Sequence, residues 1–222
     1  MPIHPTAVIG KRVAIAENVV VNPYAVVEDD VEIGPDCEIG SHAVIKQFTK
    51  IGARNRIFEH AVIGGEPQDV KFKRERSSLE IGDDNIFAND VALAGHLTIE
   101  DHVFLSNNVG AHQFVRMGRH AMVGGKSKIV QDVLPFFITD GNPARVRGVN
   151  SVGLRRAGFS GDARRALKDA YRMLFRSATP LEEVLVQLEQ VDDEHVSHLV
   201  SFIRGSKRGF TRAATTDDAD EN

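Results

Sequence analysis

The chain has 222 residues, 42% of them hydrophobic, with a formal net charge of −4 and a single cysteine. That length suits one large domain and a small one, and nothing in the charge balance points to nucleic acid. One cysteine allows no disulfide within the chain, no stretch is apolar enough to span a bilayer, and Met1-Pro2-Ile3-His4 opens without a signal peptide, so the expected location is cytoplasmic with no integral membrane segment.

From Ile3 to Ile63 an aliphatic residue falls at every sixth position, through Ile9, Ile15, Val21, Val27 and Ile33 to Ile57. The series resumes at Ile81, Phe87, Leu93, Ile99 and Leu105, weakens at Ala111 and continues to Ile129. A small residue often follows, as at Gly10, Gly40 and Gly124, and a second small or β-branched one stands four places on, as at Ala7, Val13 and Cys37. Neither a helix nor a plain strand has this period; a parallel β-helix built of hexapeptides does. Three hexapeptides close a triangular coil, with the aliphatic inward and coils stacked about 4.8 Å apart. The small residue is expected to serve a tight corner at positive φ. Cys37, at an inward position, reads as a core residue.

Taken in order, the β-helix is expected over 1–148, closed by Leu134-Pro135-Phe136-Phe137. Residues 69–79 break the repeat, are strongly charged, and read as a loop excursion of the kind that carries function on rigid scaffolds. Residues 149–210 form an α-helical domain: Ser160 caps a helix to Phe175, and Thr179 caps a second with Pro180 at N1 and Glu182 at N3. A third runs from Asp193 to Arg204 and stops at Gly205. The basic series Arg155, Arg156, Arg164, Arg165, Lys168, Arg172 and Arg176 is either a solvated face or a dock for an acidic partner. Residues 211–222 end in four acids and read as a disordered tail. His42 and His60, and His102 and His120, stand one coil apart and should stack in solvated ladders near corners.

Several motifs go beyond a generic repeat: Ile63-Gly64-Gly65-Glu66-Pro67-Gln68-Asp69-Val70-Lys71, Leu93-Ala94-Gly95-His96, Ala111-His112-Gln113-Phe114, Met122-Val123-Gly124-Gly125, Gly141-Asn142-Pro143-Ala144 and Gly148-Val149-Asn150 through Ser160. Together, over roughly residues 1–210, they resemble the acyl-carrier-protein-dependent UDP-N-acetylglucosamine O-acyltransferases that open lipid A biosynthesis. The resemblance implies an all-β, left-handed parallel β-helix with a small C-terminal α-helical domain, and a homotrimer with clefts between subunits. It implies transfer of a 3-hydroxyacyl chain from acyl carrier protein to UDP-N-acetylglucosamine or a related UDP-sugar, with no metal and no cofactor. By motif, Gln68, Asp69 and Lys71 would hold the sugar nucleotide, and His96, His112 and Gln113 would line the cleft. Gly125 would leave room for the acyl chain, and Asn150 and Arg156 would meet the donor or the uridine. The chain departs from the family by lacking about two coils before Leu93, among them the one that bears the family's base. Pro143, Val152 and Ala157 also depart from the pattern.

Acyl transfer to a hydroxyl needs a base, a donor to the developing oxyanion, and orientation. With the base-bearing coil missing, His96 or His112 is expected to take the proton. Two alternatives stay open: a catalytically weak or inactive paralogue that binds a sugar nucleotide or acyl carrier protein, and a hexapeptide transferase with a changed donor or acceptor. The histidines offer no closely spaced pair of the kind that holds zinc in hexapeptide carbonic anhydrases, so no metal is expected.

Overall fold

Backbone hydrogen bonds between residues 18 positions apart build most of this molecule. In the computed structural model, which describes residues 3–66, 73 and 76–214, Val26 pairs in parallel with Val8 on one side and Val44 on the other. Repetition gives three parallel faces. The first holds Val8–Ile9, Val26–Val27, Val44–Ile45, Val62–Gly65, Ala92–Ala94, Gly110–Ala111 and Lys128–Ile129. The second runs from Ala14–Ile15 to Arg116–Met117, and the third from Val20–Val21 to Phe137–Asp140. The hexad aliphatics point inward and form one continuous core from Val19 to Val133 with the small residues between them. Cys37 is buried there, and burial pushes its thiol up from the ordinary range.

The corners differ from the expectation. The residue at positive φ is the third after the aliphatic, and it is rarely glycine: Arg12, Asp30, His42, His96 and His120 all lie at φ between 55° and 60°. A left-handed residue with a side chain is strained, and stacking along the edge offsets that strain. Arg12 donates to Asp30 at 2.6 Å, and His42 stacks on Tyr24 and on His60 with centroids 5.1 Å apart. The glycines after the aliphatic answer a different need. A Cβ on Gly40 would stand 2.7 Å from the Phe58 carbonyl carbon and 2.8 Å from the Glu59 nitrogen of the next coil. Close approach, not corner conformation, selects the small residue there.

The excursion leaves the first face after Gly65 and returns into the second face at Leu79–Ile81. It therefore occupies 66–78 rather than 69–79, and Leu79 is a buried strand residue paired with Thr49 and Leu97. Across it partners stand 30 residues apart instead of 18. The difference is two hexads, so every aliphatic keeps its inward phase.

Past Asp140 the chain reverses into Arg145–Val149, antiparallel to the last parallel strand. Four helices cover this end: α1 (Ser151–Arg156), α2 (Gly161–Arg176), α3 (Leu181–Leu188) and α4 (Glu194–Arg204). They close a second core of Leu134, Phe136, Phe137, Leu167, Leu199 and Phe202. Ser160 caps α2, its hydroxyl accepting from the Ala163 amide. Thr179 does not cap α3; the cap position is Pro180, whose hydrocarbon ring has no acceptor to offer. Gly205 ends α4 with an ordinary right-handed φ; its smallness instead admits the Arg116 guanidinium, which would lie 3.1 Å from a Cβ. On the basic face, Arg165 and Arg172 pair with Asp162 and Asp169 of α2. The start of the expected tail is instead packed: Thr211 is buried, donates its amide to the Asp132 carbonyl, and Ala213 bridges Val146, while residues 215–222 lie outside the described residues.

His102 and His120 stack at 4.6 Å, but only His102 is exposed. His120 is half-buried against Phe136 and Phe159. Burial, reinforced by the charges of His102, Arg119 and His195, lowers its pKa to about 4.

Candidate active-site edge

The edge between the first and second faces gathers most of the chemistry. Coil by coil it carries Arg12, Asp30, Phe48, the excursion, His96, Phe114 and Asp132. The root of the excursion is tied to the coil above: Gly65 accepts from the Gly95 amide at 2.8 Å, and Ser78 accepts from the His96 amide at 2.6 Å. Gly95 must be small because a Cβ there would stand 2.6 Å from the Ser77 side chain. The His96 carbonyl accepts from Phe114, and the two rings stack at 4.7 Å with planes 16° apart. His96 is thus fixed from below and from above.

Its Nε2 is buried and has no hydrogen-bond partner among the described residues. An orphaned polar atom in a buried position is costly, and such atoms mark places where a ligand or proton belongs. The ring borders a cavity of about 640 Å³ that also meets Arg116, Lys207 and Arg208. Beside it, on the first face, the small residues Ala92 and Gly110 leave an apolar groove of about 430 Å³ that takes in His112, Gln113 and Val130. Arg208 stands between the two spaces, its guanidinium 3.1 Å from Nδ1 of His112.

The other expected site residues go elsewhere. Gly125 lies at the edge between the third and first faces, where a Cβ would meet the Asn107 amide oxygen at 2.8 Å. Asn150 stands at the helical end: it caps α1 by accepting from the Gly153 amide and donates to the His120 carbonyl at 3.0 Å. Arg156 is exposed at the end of α1. Gln68, Asp69 and Lys71 lie outside the described residues. Within one chain, then, His96, His112 and Gln113 come together with the root of the excursion, while Gly125, Asn150 and Arg156 occupy other edges.

Two groups went unnoticed in the sequence. Arg208 follows the last helix and carries no repeat signal. Asp132 stands one coil above Phe114, and adding 18 to position 114 would have placed it on the edge. No group of three or more metal-binding side chains exists among the described residues, and no helix there is long and apolar enough to cross a membrane.

Comparison with known proteins gives this arrangement a family. Residues 132–211 match the second domain of UDP-N-acetylglucosamine O-acyltransferase, and residues 12–47 match the bacterial transferase hexapeptide family. An acyl-[acyl-carrier-protein]–UDP-N-acetylglucosamine O-acyltransferase of Burkholderia mallei is 39% identical over 199 residues, covering 68% of this chain and 76% of the relative. One from Synechocystis sp. is 39% identical over 187 residues, covering 65% and 68%. The crystal structure of UDP-N-acetylglucosamine O-acyltransferase from Moraxella catarrhalis superposes with a TM-score of 0.68 at 35% identity, covering 94% of this chain and 99% of that one. The Francisella novicida enzyme gives 0.69 at 28%, covering 98% and 96%. The fold is accordingly a left-handed parallel β-helix, an exception to right-handed crossovers. The chain belongs to the family of acyl-[acyl-carrier-protein]–UDP-N-acetylglucosamine O-acyltransferases.

Proposed function

We infer that the chain transfers an acyl group from acyl carrier protein to UDP-N-acetylglucosamine in lipid A biosynthesis, the reaction for which its relatives are named. The observation that carries the site assignment is the orphaned Nε2 of His96, beside a cavity at the root of the excursion. In this reading His96 takes the proton of the attacking sugar hydroxyl. The oxygen bonds to the thioester carbonyl carbon, the carbon–sulfur bond breaks, and the departing thiolate of the carrier receives the proton back. Lys207 supplies positive charge where a diphosphate would lie. The neighbouring apolar groove takes the acyl chain. Gln68, Asp69 and Lys71 hold the sugar nucleotide from the excursion.

A homotrimer is part of the proposal. Gly125, Asn150 and Arg156 cannot reach His96 within one prism, whereas neighbouring prisms bring different edges together. A cytoplasmic site of action goes with the carrier-bound donor. The test is an acyl-transfer assay on the purified protein with acyl carrier proteins of several chain lengths and UDP-N-acetylglucosamine, alongside light scattering. Transfer by a trimer is expected. Binding of the sugar nucleotide without transfer would replace the enzyme with a binding protein.

A further inference from the structure

We propose that Arg208 is a positioning residue that holds neutral His112 with its proton on Nε2, so that this ring serves the cleft as a hydrogen-bond donor and not as the base. The inference rests on the transferase reading above and assigns the two edge histidines different tasks.

Arg208 brings a guanidinium nitrogen within 3.1 Å of His112 Nδ1. A guanidinium has only N–H donors and no acceptor, and it stays charged throughout the working pH range. Nδ1 must therefore accept, and the single proton of the neutral ring goes to Nε2. A rival contact exists. The Gln113 carbonyl lies 3.4 Å from the same Nδ1. Satisfying it needs the proton on Nδ1, which would then face the guanidinium N–H groups. The longer contact loses to the shorter, charge-assisted one.

Arg208 is itself held in place. Its Nε donates to the Val130 carbonyl at 2.6 Å. The segment bearing it is laced to the prism through Asp132, a carboxylate only 1% exposed. Asp132 accepts from the Ser206 hydroxyl at 2.9 Å, donates its own amide to Gly209, and accepts on its carbonyl from Thr211. The guanidinium is thus fixed by backbone on both sides of it before any ligand arrives, which is what preorganised catalysis requires.

The chemical consequence follows. With Nδ1 occupied by a cation's N–H and Nε2 already protonated, His112 has no site to receive the substrate proton. It can donate to the oxyanion that forms on the thioester carbonyl, or to a substrate oxygen. Proton removal is left to His96.

The test reads ring nitrogens directly. Long-range proton–nitrogen spectra of the nitrogen-15-labelled trimer, with His112 assigned through His112→Gln, are recorded at about pH 8, where an ordinary imidazole is neutral. Wild type should show a bare Nδ1 and a protonated Nε2. Arg208→Met should populate both tautomers. Losing an oxyanion donor outright costs about 10²–10³ in kcat. A ring that still samples the right tautomer should lose less, roughly tenfold or more, with KM for UDP-N-acetylglucosamine nearly unchanged. Arg208→Lys, which keeps charge without the fork, gives a second readout should the Met variant melt early. Wild-type His112 protonated on Nδ1, or an unchanged tautomer in both variants, would overturn the proposal and leave the transferase reading standing. A wild type that holds the Nε2–H form yet transfers no acyl chain would overturn the transferase reading while supporting the Arg208–His112 pairing.

Discussion

Arg116 and Asp132 lock the helical domain to the prism. The Asp132 carboxylate accepts the Arg116 amide at 2.9 Å and its guanidinium at 3.0 Å, while the same guanidinium donates to the Phe202 carbonyl of α4 and lies 4.2 Å over the Phe202 ring. Asp132 is only 1% exposed, but Arg116 is 31% exposed and keeps its bond to Phe202, so removing the carboxylate should cost about 1–3 kcal/mol. Asp132→Ala should lower stability by that order in denaturant titrations and detach the segment that carries Arg208. A midpoint shift corresponding to under ~1 kcal/mol would contradict the clamp.

Gly40 and Gly161 offer a paired test of the packing argument. A methyl group at Gly40 meets the backbone of the next coil, whereas one at Gly161, the first residue of α2, meets nothing within 4 Å. Gly40→Ala should destabilise by about 1–3 kcal/mol through forced backbone displacement. Gly161→Ala should be neutral or stabilising by about 0.4–1 kcal/mol. Equal effects would mean the coils have more slack than the spacing implies.

Stability should fall with acid in a window set by His120. Its folded pKa of about 4 lies below the ordinary value of 6.5, so between those two pH values the unfolded chain binds the extra proton. The slope of unfolding free energy with pH is then positive: the contribution is full above pH 6.5 and is lost as pH falls toward 4. The groups facing this ring are His102, Arg119 and His195, with Glu100 and its partner His198 close by. Burial alone would raise the Glu100 carboxyl, but the bonds from His198 and the Arg119 amide outweigh it and leave it below its usual value. The Glu100 contribution is therefore lost at lower pH, below its usual value of 4.5. His120→Phe should flatten the melting-temperature profile across the window without erasing it.

His96 carries the catalytic prediction. General-base catalysis contributes about 10²–10⁴-fold. His96→Ala should lose that much kcat with little change in KM and an intact fold by circular dichroism. Full activity in this variant would send the role to another group.

The sequence revealed the stack because each coil repeats one physical constraint, a side chain in a closed core, and that constraint has a period. Even the excursion obeyed it, adding two hexads so that Ile81 resumed in phase. What stayed hidden was aperiodic. The capping role of Asn150 depends on α1, a helix of six residues with no amphipathic signature. The clamp of Arg116 and Asp132 depends on where α4 happens to land. The edge site required both kinds of information: the period put His96 beneath Phe114, but only the packed chain brought Arg208 to His112.

The two ends of the stack have unequal resistance to opening. Ile3, Ile9 and Ile15 of the first coil are only half-buried, and the fully enclosed core begins at Val19. The other end is sealed by Phe136, Phe137 and four helices. Because each coil bonds only to its neighbours, opening can proceed one coil at a time. Amide deuterium uptake should therefore form a gradient along the axis, fast at the amides of Val8 and Ala14 and slowest near Phe104 and Met122. Heat should unzip the protein from its amino-terminal coil, leaving the His96 edge among the last parts to fray.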